Sequence, residues 1–575
     1  MQTSKFPRLF FSSIFVAVLT LAVALPAQAY FVPSTFQAAT LVLGQSNFVS
    51  SGANTSQTGL YRPEGVAVDP ISHKVFVADD MNNRVLRYAN AASLANGAAA
   101  EAVLGQPVFN SSSGGTSQSS MQGPEGVTVD SAGRLWVADT FNHRVLRFDN
   151  AASIGNGANA NIVLGQSTFT DNTSGVAQNR MNAPIGIFAD ATGHLWVVDT
   201  NNSRVLRFNN AGSKTSGDNA DGVLGQSNFT NNGSGTSQNT FAYPYGVTVD
   251  SAGRLWVADM VNNRVLRFNN AAALANGANA NGVLGQPDFS TSTNATSQNG
   301  FFEPFGVTTD PSGNLYVADT YNSRIMVFKT AASLANGANA TYVIGQSDFT
   351  SNSSNTTATT LNDPFGVFYD PQQKDLWVAD QYNHRVLLYG TPNASFYSDA
   401  ANDGWVLESS ENSNKGGSAN STGTLRVGDD AANKQYRSIL SFDTSSLPDN
   451  AMIHKVTLKI KKAGVVGTDP LASFGGLLAD MQMGSFGTPA LKPGDFQAAA
   501  SASAVGHFSA ASGGWYQLVL PAADYSLVNL TGPTQFRLRF KLDDNNNHSA
   551  NYDLFYSGNN PAASQPVLTV EYSLP

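Results

Sequence analysis

Between residues 40 and 389 the chain is a succession of short apolar runs, rich in β-branched and aromatic residues and closed by Asn, Asp, Ser and Gly. Runs of this length and composition predict β-strands. In one stretch the expected strands are 126–130, 135–139, 144–148 and 162–165. Ser131-Ala-Gly133 serves as a tight turn between the first two, and residues 150–155 predict a helical turn ahead of the fourth. Within the runs, adjacent apolar pairs such as Val145-Leu146 predict sheets buried on both faces.

The pattern repeats. Arg84, Arg144, Arg204, Arg264, Arg324 and Arg385 follow one another at intervals of 60, the last of 61. A second series, Gly44, Gly105, Gly165, Gly225, Gly285 and Gly345, interleaves with it. Six units of four strands predict a six-bladed β-propeller. The bulky second-strand residues Phe76, Trp136, Trp196, Trp256, Tyr316 and Trp377 suit the wedges between blades. The turn between the first two strands is one residue longer in the first and last units, around Ser72-His73 and Gln372-Gln373. The chain opens with an orphan fourth strand, 40–44, and the last unit stops after its third strand at Tyr389. The N-terminal strand is therefore expected to complete the sixth blade, leaving no unpaired edge there.

These residues resemble the NHL repeat family. The shared pattern is Pro-x-Gly-Val-x-x-Asp, then an aromatic residue with Val-Ala-Asp, then Asn-x-Arg-Val. The resemblance implies a propeller, and functions ranging from protein and RNA binding to a few lyases, so it speaks to fold more than to activity.

The period ends at 390–393, and strand candidates follow at 424–427, 439–442, 455–460, 515–520, 535–540 and 567–572. Several alternate apolar with polar residues, as half-exposed strands of a sandwich do. The region is similar to DNRLRE-type and related carbohydrate-binding-like β-sandwich modules through Asp403-Gly-Trp-Val-Leu-Glu408, Leu425-Arg-Val-Gly428 and Arg437-Ser-Ile-Leu-Ser-Phe442-Asp443. The chain thus reads as all-β: a signal peptide over 1–29, a propeller over 30–392, and a jelly-roll-like β-sandwich over 393–575.

Composition narrows the setting. Lys5 and Arg8 precede an apolar run that ends in Pro26-Ala-Gln-Ala29, the layout of a cleaved secretory signal, with an uncleaved anchor as the alternative. No later run is long enough to span a membrane. Net charge is −9, and the signal contributes only positive charge, so phosphate backbones and anionic membranes are disfavoured as partners. There are no cysteines, so disulfides are excluded and core burial must hold the fold.

Residues present in every unit read as structural. Asp79, Asp139, Asp199, Asp259, Asp319 and Asp380 end the second strand, where a carboxylate accepts turn amides. The six arginines that follow are expected to bridge neighbouring turns, since a catalytic residue is not needed six times. His73, His143, His194 and His384 read as surface decoration rather than a zinc set.

Chemistry is sought where the units differ. Immediately before the inner-strand glycine stand Glu64, Glu125, Ile185, Tyr245, Phe305 and Phe365. Two residues after the turn aspartate stand Met81, Phe141, Asn201, Val261, Tyr321 and Tyr382. An asymmetric ring of acids and aromatics suits a sugar or a cationic group; drift among repeats is the bland alternative. In the sandwich, Trp405 and Trp515 are candidates for stacking on sugar rings, or else core. Asp403, Glu408, Asp429 and Asp430 are candidates for a structural calcium, although clustered surface acids are commoner. The expected function is a secreted or cell-surface binding protein whose partner is an extracellular protein or polysaccharide. The alternative is a metal-dependent lactonase- or lyase-type enzyme using Glu64 and Glu125 in the central channel.

Overall fold

Each repeat folds into one antiparallel sheet in the computed structural model, which describes residues 33–390 and 393–573. The expected signal peptide lies outside the described residues. Blade 1 consists of Pro63–Val68, Lys74–Asp79, Arg84–Asn90 and Ala102–Leu104. Blade 2 repeats it with Pro124–Val129, Leu135–Asp139, Arg144–Phe148 and Ile162–Leu164, and the order recurs through blade 5. Blade 6 takes three strands from Pro364–Asp370, Asp375–Asp380 and Arg385–Tyr389 and its fourth from Leu41–Leu43. In that closure Leu41 pairs with Leu388, Val42 with Leu387 and Leu43 with Val386.

Wedges of apolar side chains join the blades. Trp136 of blade 2 is fully buried in a cluster with Val197 and Leu206 of blade 3, and Trp196 of blade 3 packs likewise on Val257 and Leu266 of blade 4. Nearer the axis the joint is backbone on backbone. A Cβ on Gly186 would fall 2.0 Å from the carbonyl oxygen of Tyr245 in the next blade, and one on Gly366 would fall 2.0 Å from that of Glu64. The repeat glycine is thus required by close approach, and Gly366 against Glu64 closes the ring.

The inner strands start two residues earlier than the sequence pattern suggests, at Pro124 rather than residue 126 in blade 2. Pro124 pairs with Asp139, after which the register shifts before Val127 pairs with Val137. The same β-bulge lies between Pro63 and Val66, and at the matching place in the other blades. A bulge re-aims the side chain that it carries. Here it carries the variable residue ahead of the glycine.

After the propeller, Asn393–Tyr397 pairs with Val567–Ser573 and begins a large antiparallel sheet domain of twelve strands. Its longest strand, Met452–Val466, pairs in its first part with Val567–Ser573 and Trp515–Val519, and in its last part with Asn551–Phe555. That strand passes from one sheet to the other, and residues of both sheets, such as Leu458, Leu568, Leu440 and Phe536, share one core. Among the described residues no helix is long and apolar enough to cross a membrane.

Candidate functional site

The bulges turn six side chains into one end of the central channel. Glu64, Glu125, Ile185, Tyr245, Phe305 and Phe365 line a cavity of about 80 Å³ together with the glycine ring and the ring of Val66, Val127, Ile187, Val247, Val307 and Val367. This opens outward into a second cavity of about 260 Å³, lined also by Arg62, Asp80, Met81, Phe141, Thr320, Tyr321, Asp363, Gln381 and Tyr382. Of the twelve residues in the two variable rows named above, ten line these cavities, including every acid and aromatic; Asn201 and Val261 line neither. Met81, Phe141, Tyr321 and Tyr382 are exposed and form the rim, whereas Glu64 and Glu125 are buried.

The site has two unlike halves. On one side Tyr245 stacks on Phe305 with ring centroids 4.4 Å apart and planes inclined by 12°. Phe365 stands edge-on to both, at 4.6 Å from Phe305 and 5.6 Å from Tyr245. On the other side lie the acids. Gln381 Nε2 donates to Glu64 Oε1 at 2.5 Å, while Glu64 Oε2 and Asp80 Oδ1 are buried and receive no hydrogen bond. Burial, with the Glu125 and Asp80 charges beside it, holds the Glu64 carboxyl well above the usual range. Burial and the Asp80 charge push Glu125 up to about 8, and burial pushes Asp80 up to about 6 against the pull of Arg62. The Arg62 guanidinium lies over the Tyr382 ring, 4.8 Å from its centroid. Carboxyls held this high bind protons near neutrality and can exchange them for another cation. Among the described residues no three His, Cys, Asp or Glu side chains converge in a group that could hold a metal.

Sequence reasoning passed over Asp80, Gln381 and Arg62. Asp80 and Gln381 occupy the position after the turn aspartate, elsewhere Thr140, Thr200, Met260 and Thr320. The threonines donate to the proline carbonyl of the next blade, as Thr140 does to Pro184 at 2.8 Å. Blades 1, 4 and 6 depart from this pattern, and the departures in blades 1 and 6 face Glu64. A row-by-row comparison of the repeats carries that signal.

The recurrent pair bridges segments, as the repeat pattern suggests. Asp139 accepts Arg144 Nε and Asn142 Nδ2 on Oδ2 and the Gln122 amide on Oδ1, and Arg144 in turn donates to the carbonyls of Ser117, Ser120 and Phe169. All six arginines and all six aspartates are fully buried. The pairs Arg84–Asp79, Arg204–Asp199, Arg264–Asp259, Arg324–Asp319 and Arg385–Asp380 repeat the 2.7 Å contact. His143 and His384 are more than surface decoration. Each has left-handed backbone angles, and its Nδ1 accepts an amide of the next blade: Ala183 at 3.0 Å for His143, Arg62 at 3.1 Å for His384. Asn83 and Asn263 do the same through Oδ1.

In the C-terminal domain Trp405 is partly buried, with the Arg426 guanidinium 4.9 Å over its ring; Tyr436 and Tyr552 flank the same guanidinium at 5.5 and 5.3 Å. Trp515, on the other sheet, has the Lys461 ammonium 5.7 Å over its ring. Of the calcium candidates, Asp403 and Asp429 are fully buried, each with one oxygen lacking a donor. Glu408 accepts the Asn414 amide, and Asp430 accepts turn amides and faces Lys434.

Three copies of the repeat, residues 121–148, 241–268 and 303–328, match the NHL repeat profile. Those stretches lie in blades 2, 4 and 5 of the six. NHL repeat-containing protein 2 of Bos taurus is 26% identical over 363 residues, covering 56% of this chain. The same protein of Gallus gallus is 26% identical over 358 residues. The chain spans 46% of the length of either relative. Among solved structures, a protein of unknown function from Bacteroides thetaiotaomicron is similar over 61% of this chain and 75% of that one, at 15% identity and a TM-score of 0.40. The shared repeat residues thus account for the common frame of the blades, while the acids and aromatics of the channel mouth stand at positions where the copies differ.

Proposed function

We propose that this protein is an exported binding protein whose propeller takes a ligand into the channel mouth between the acidic and the aromatic halves. One observation carries the reading: ten of the twelve residues in two variable rows of the repeat line two adjoining cavities, with a buried carboxylate oxygen left without a donor. The cavity sits at the lower end of ligand-site volumes, roughly 300 Å³, and suits a small molecule or the tip of a longer one. The C-terminal domain, read as a carbohydrate-binding-like sandwich, serves as a second contact to an extracellular polysaccharide or protein, with the propeller as scaffold. Export follows from residues 1–29 acting as a cleaved signal.

A fragment screen by ligand-observed NMR, run on the wild type and on Tyr245→Ala, tests this. Hits that bind the wild type and are lost in the variant are expected. A screen without any hit sensitive to Tyr245→Ala sinks the reading. The alternative, a metal-dependent lactonase- or lyase-type enzyme, rests on the same two glutamates. It requires a stoichiometric divalent ion in the purified protein and turnover lost on Glu64→Gln.

A further inference from the structure

Resting on the channel mouth as a ligand site, we infer that its ligand class is a primary organic ammonium ion bearing a flat or apolar body. Charge balance points there first. Glu64, Asp80, Glu125 and Asp363 line the two cavities, and Arg62 is the one cation among the lining residues. Arg62 does not complete the acids, for its Nε is itself buried without a hydrogen bond and its guanidinium rests on Tyr382.

Hydrogen bonding points the same way. Glu64, only 4% exposed, and Asp80, 5% exposed, line the outer cavity, and each has one buried oxygen without a donor. A buried acceptor left unpaired is costly, and a donor that also brings positive charge removes both deficits. An ammonium group has three N–H donors and no acceptor. A quaternary ammonium lacks the donors, and a neutral hydroxyl lacks the charge.

The opposite wall selects the rest of the ligand. The stacked Tyr245 and Phe305, with Phe365 edge-on, line the same space, which favours a cation and the apolar body attached to it. A hard divalent cation prefers oxygen all round, and half of this wall is hydrocarbon.

In the free protein, protons stand in for the missing cation. Glu64 faces Glu125, Asp80 and Gln381; Glu125 faces Glu64, Asp80 and Arg62; Asp80 faces Arg62, Asp79 and Glu64. From across the cavity Tyr245 faces both glutamates, Tyr321 and Glu303. With Glu125 at about 8 and Asp80 at about 6, an arriving ammonium displaces protons to the buffer. Binding therefore tightens as pH rises through that window and levels off above it.

Titration calorimetry on the whole exported chain tests the inference with three probes, benzylammonium, benzyl alcohol and Ca²⁺. Runs at about pH 6 and about pH 8.5, in buffers of different ionisation enthalpy, count the protons released. Benzylammonium is expected to bind about tenfold or more tightly than benzyl alcohol, to bind tighter at the higher pH, and to release protons at the lower. Glu125→Gln and, separately, Asp80→Asn should flatten the pH dependence and shrink that preference, with thermal melts checking that each variant folds. Equal or tighter binding of benzyl alcohol, lost on Tyr245→Ala, overturns the ammonium class and leaves the mouth a ligand site. Ca²⁺ that releases protons and competes with benzylammonium reassigns the site to a metal. Binding of none of the probes also overturns the ammonium class, and the fragment screen then judges the mouth alone.

Discussion

Glu125 ties the stability of the propeller to pH. Its folded pKa of about 8 lies above the ordinary 4.5, so the fold favours the protonated carboxyl. The stabilising contribution is complete below the ordinary value and is lost as pH rises from there through about 8. Glu125→Gln keeps the shape and removes the ionisation. The variant should therefore be the more stable form above pH ~8, by an amount on the order of a few kcal/mol, and similar to wild type near pH ~5. Thermal melts at the two pH values check this; a wild type that is equally stable at both would contradict it. The two glutamates were legible in the sequence because six aligned copies make an odd residue visible. Asp80, Gln381 and Arg62 were not, because they occupy rows that in the other blades serve turns and blade-to-blade hydrogen bonds. Only the ring, which sets blade 6 beside blade 1, brings these departures face to face.

At the scale of elements, second and third strands were readable where both faces are buried, as in Leu135–Asp139 and Arg144–Phe148. The inner strands were misjudged by two residues because a bulge interrupts their alternation. In the C-terminal domain, strands with clear alternation such as Pro533–Phe540 were found. Gly416–Asn420, with the sequence Gly-Gly-Ser-Ala-Asn, left no apolar signal, being a solvent-facing edge held by its pairing to Gly404–Glu408. The closing strand Leu41–Leu43 was legible from the order of elements alone. A chain beginning at residue 49 lacks it, bares the Arg385–Tyr389 edge and leaves out three buried aliphatic side chains. The loss should be on the order of 5 kcal/mol, read as a fall in melting temperature and a gain in aggregation. An unchanged melt would refute closure by this strand.

Over the whole molecule, the hydrophobic clusters divide cleanly. The C-terminal core draws only on residues from Ala394 onward, and the propeller clusters end at Tyr389. A cavity of about 460 Å³ lies at the junction, with Lys374 and Asp375 beside Leu41, Leu94 and Leu388 on the propeller side and Lys455 and Glu571 on the other. Residues 394–573 expressed alone should give a cooperative melt and a β-type circular dichroism spectrum, and a fragment without cooperative unfolding would show that its core needs the propeller. The pairing of Leu41 with Leu388 also sets an order in time. A polypeptide emerging from its N-terminus delivers one strand of the sixth blade first and the other three only after five blades have appeared. Joining such distant ends costs little more entropy than joining near ones, since the cost grows only as the logarithm of the loop. The circle nevertheless stays a horseshoe until its last strand arrives, so the channel mouth, which draws on all six blades, is complete only when the propeller is.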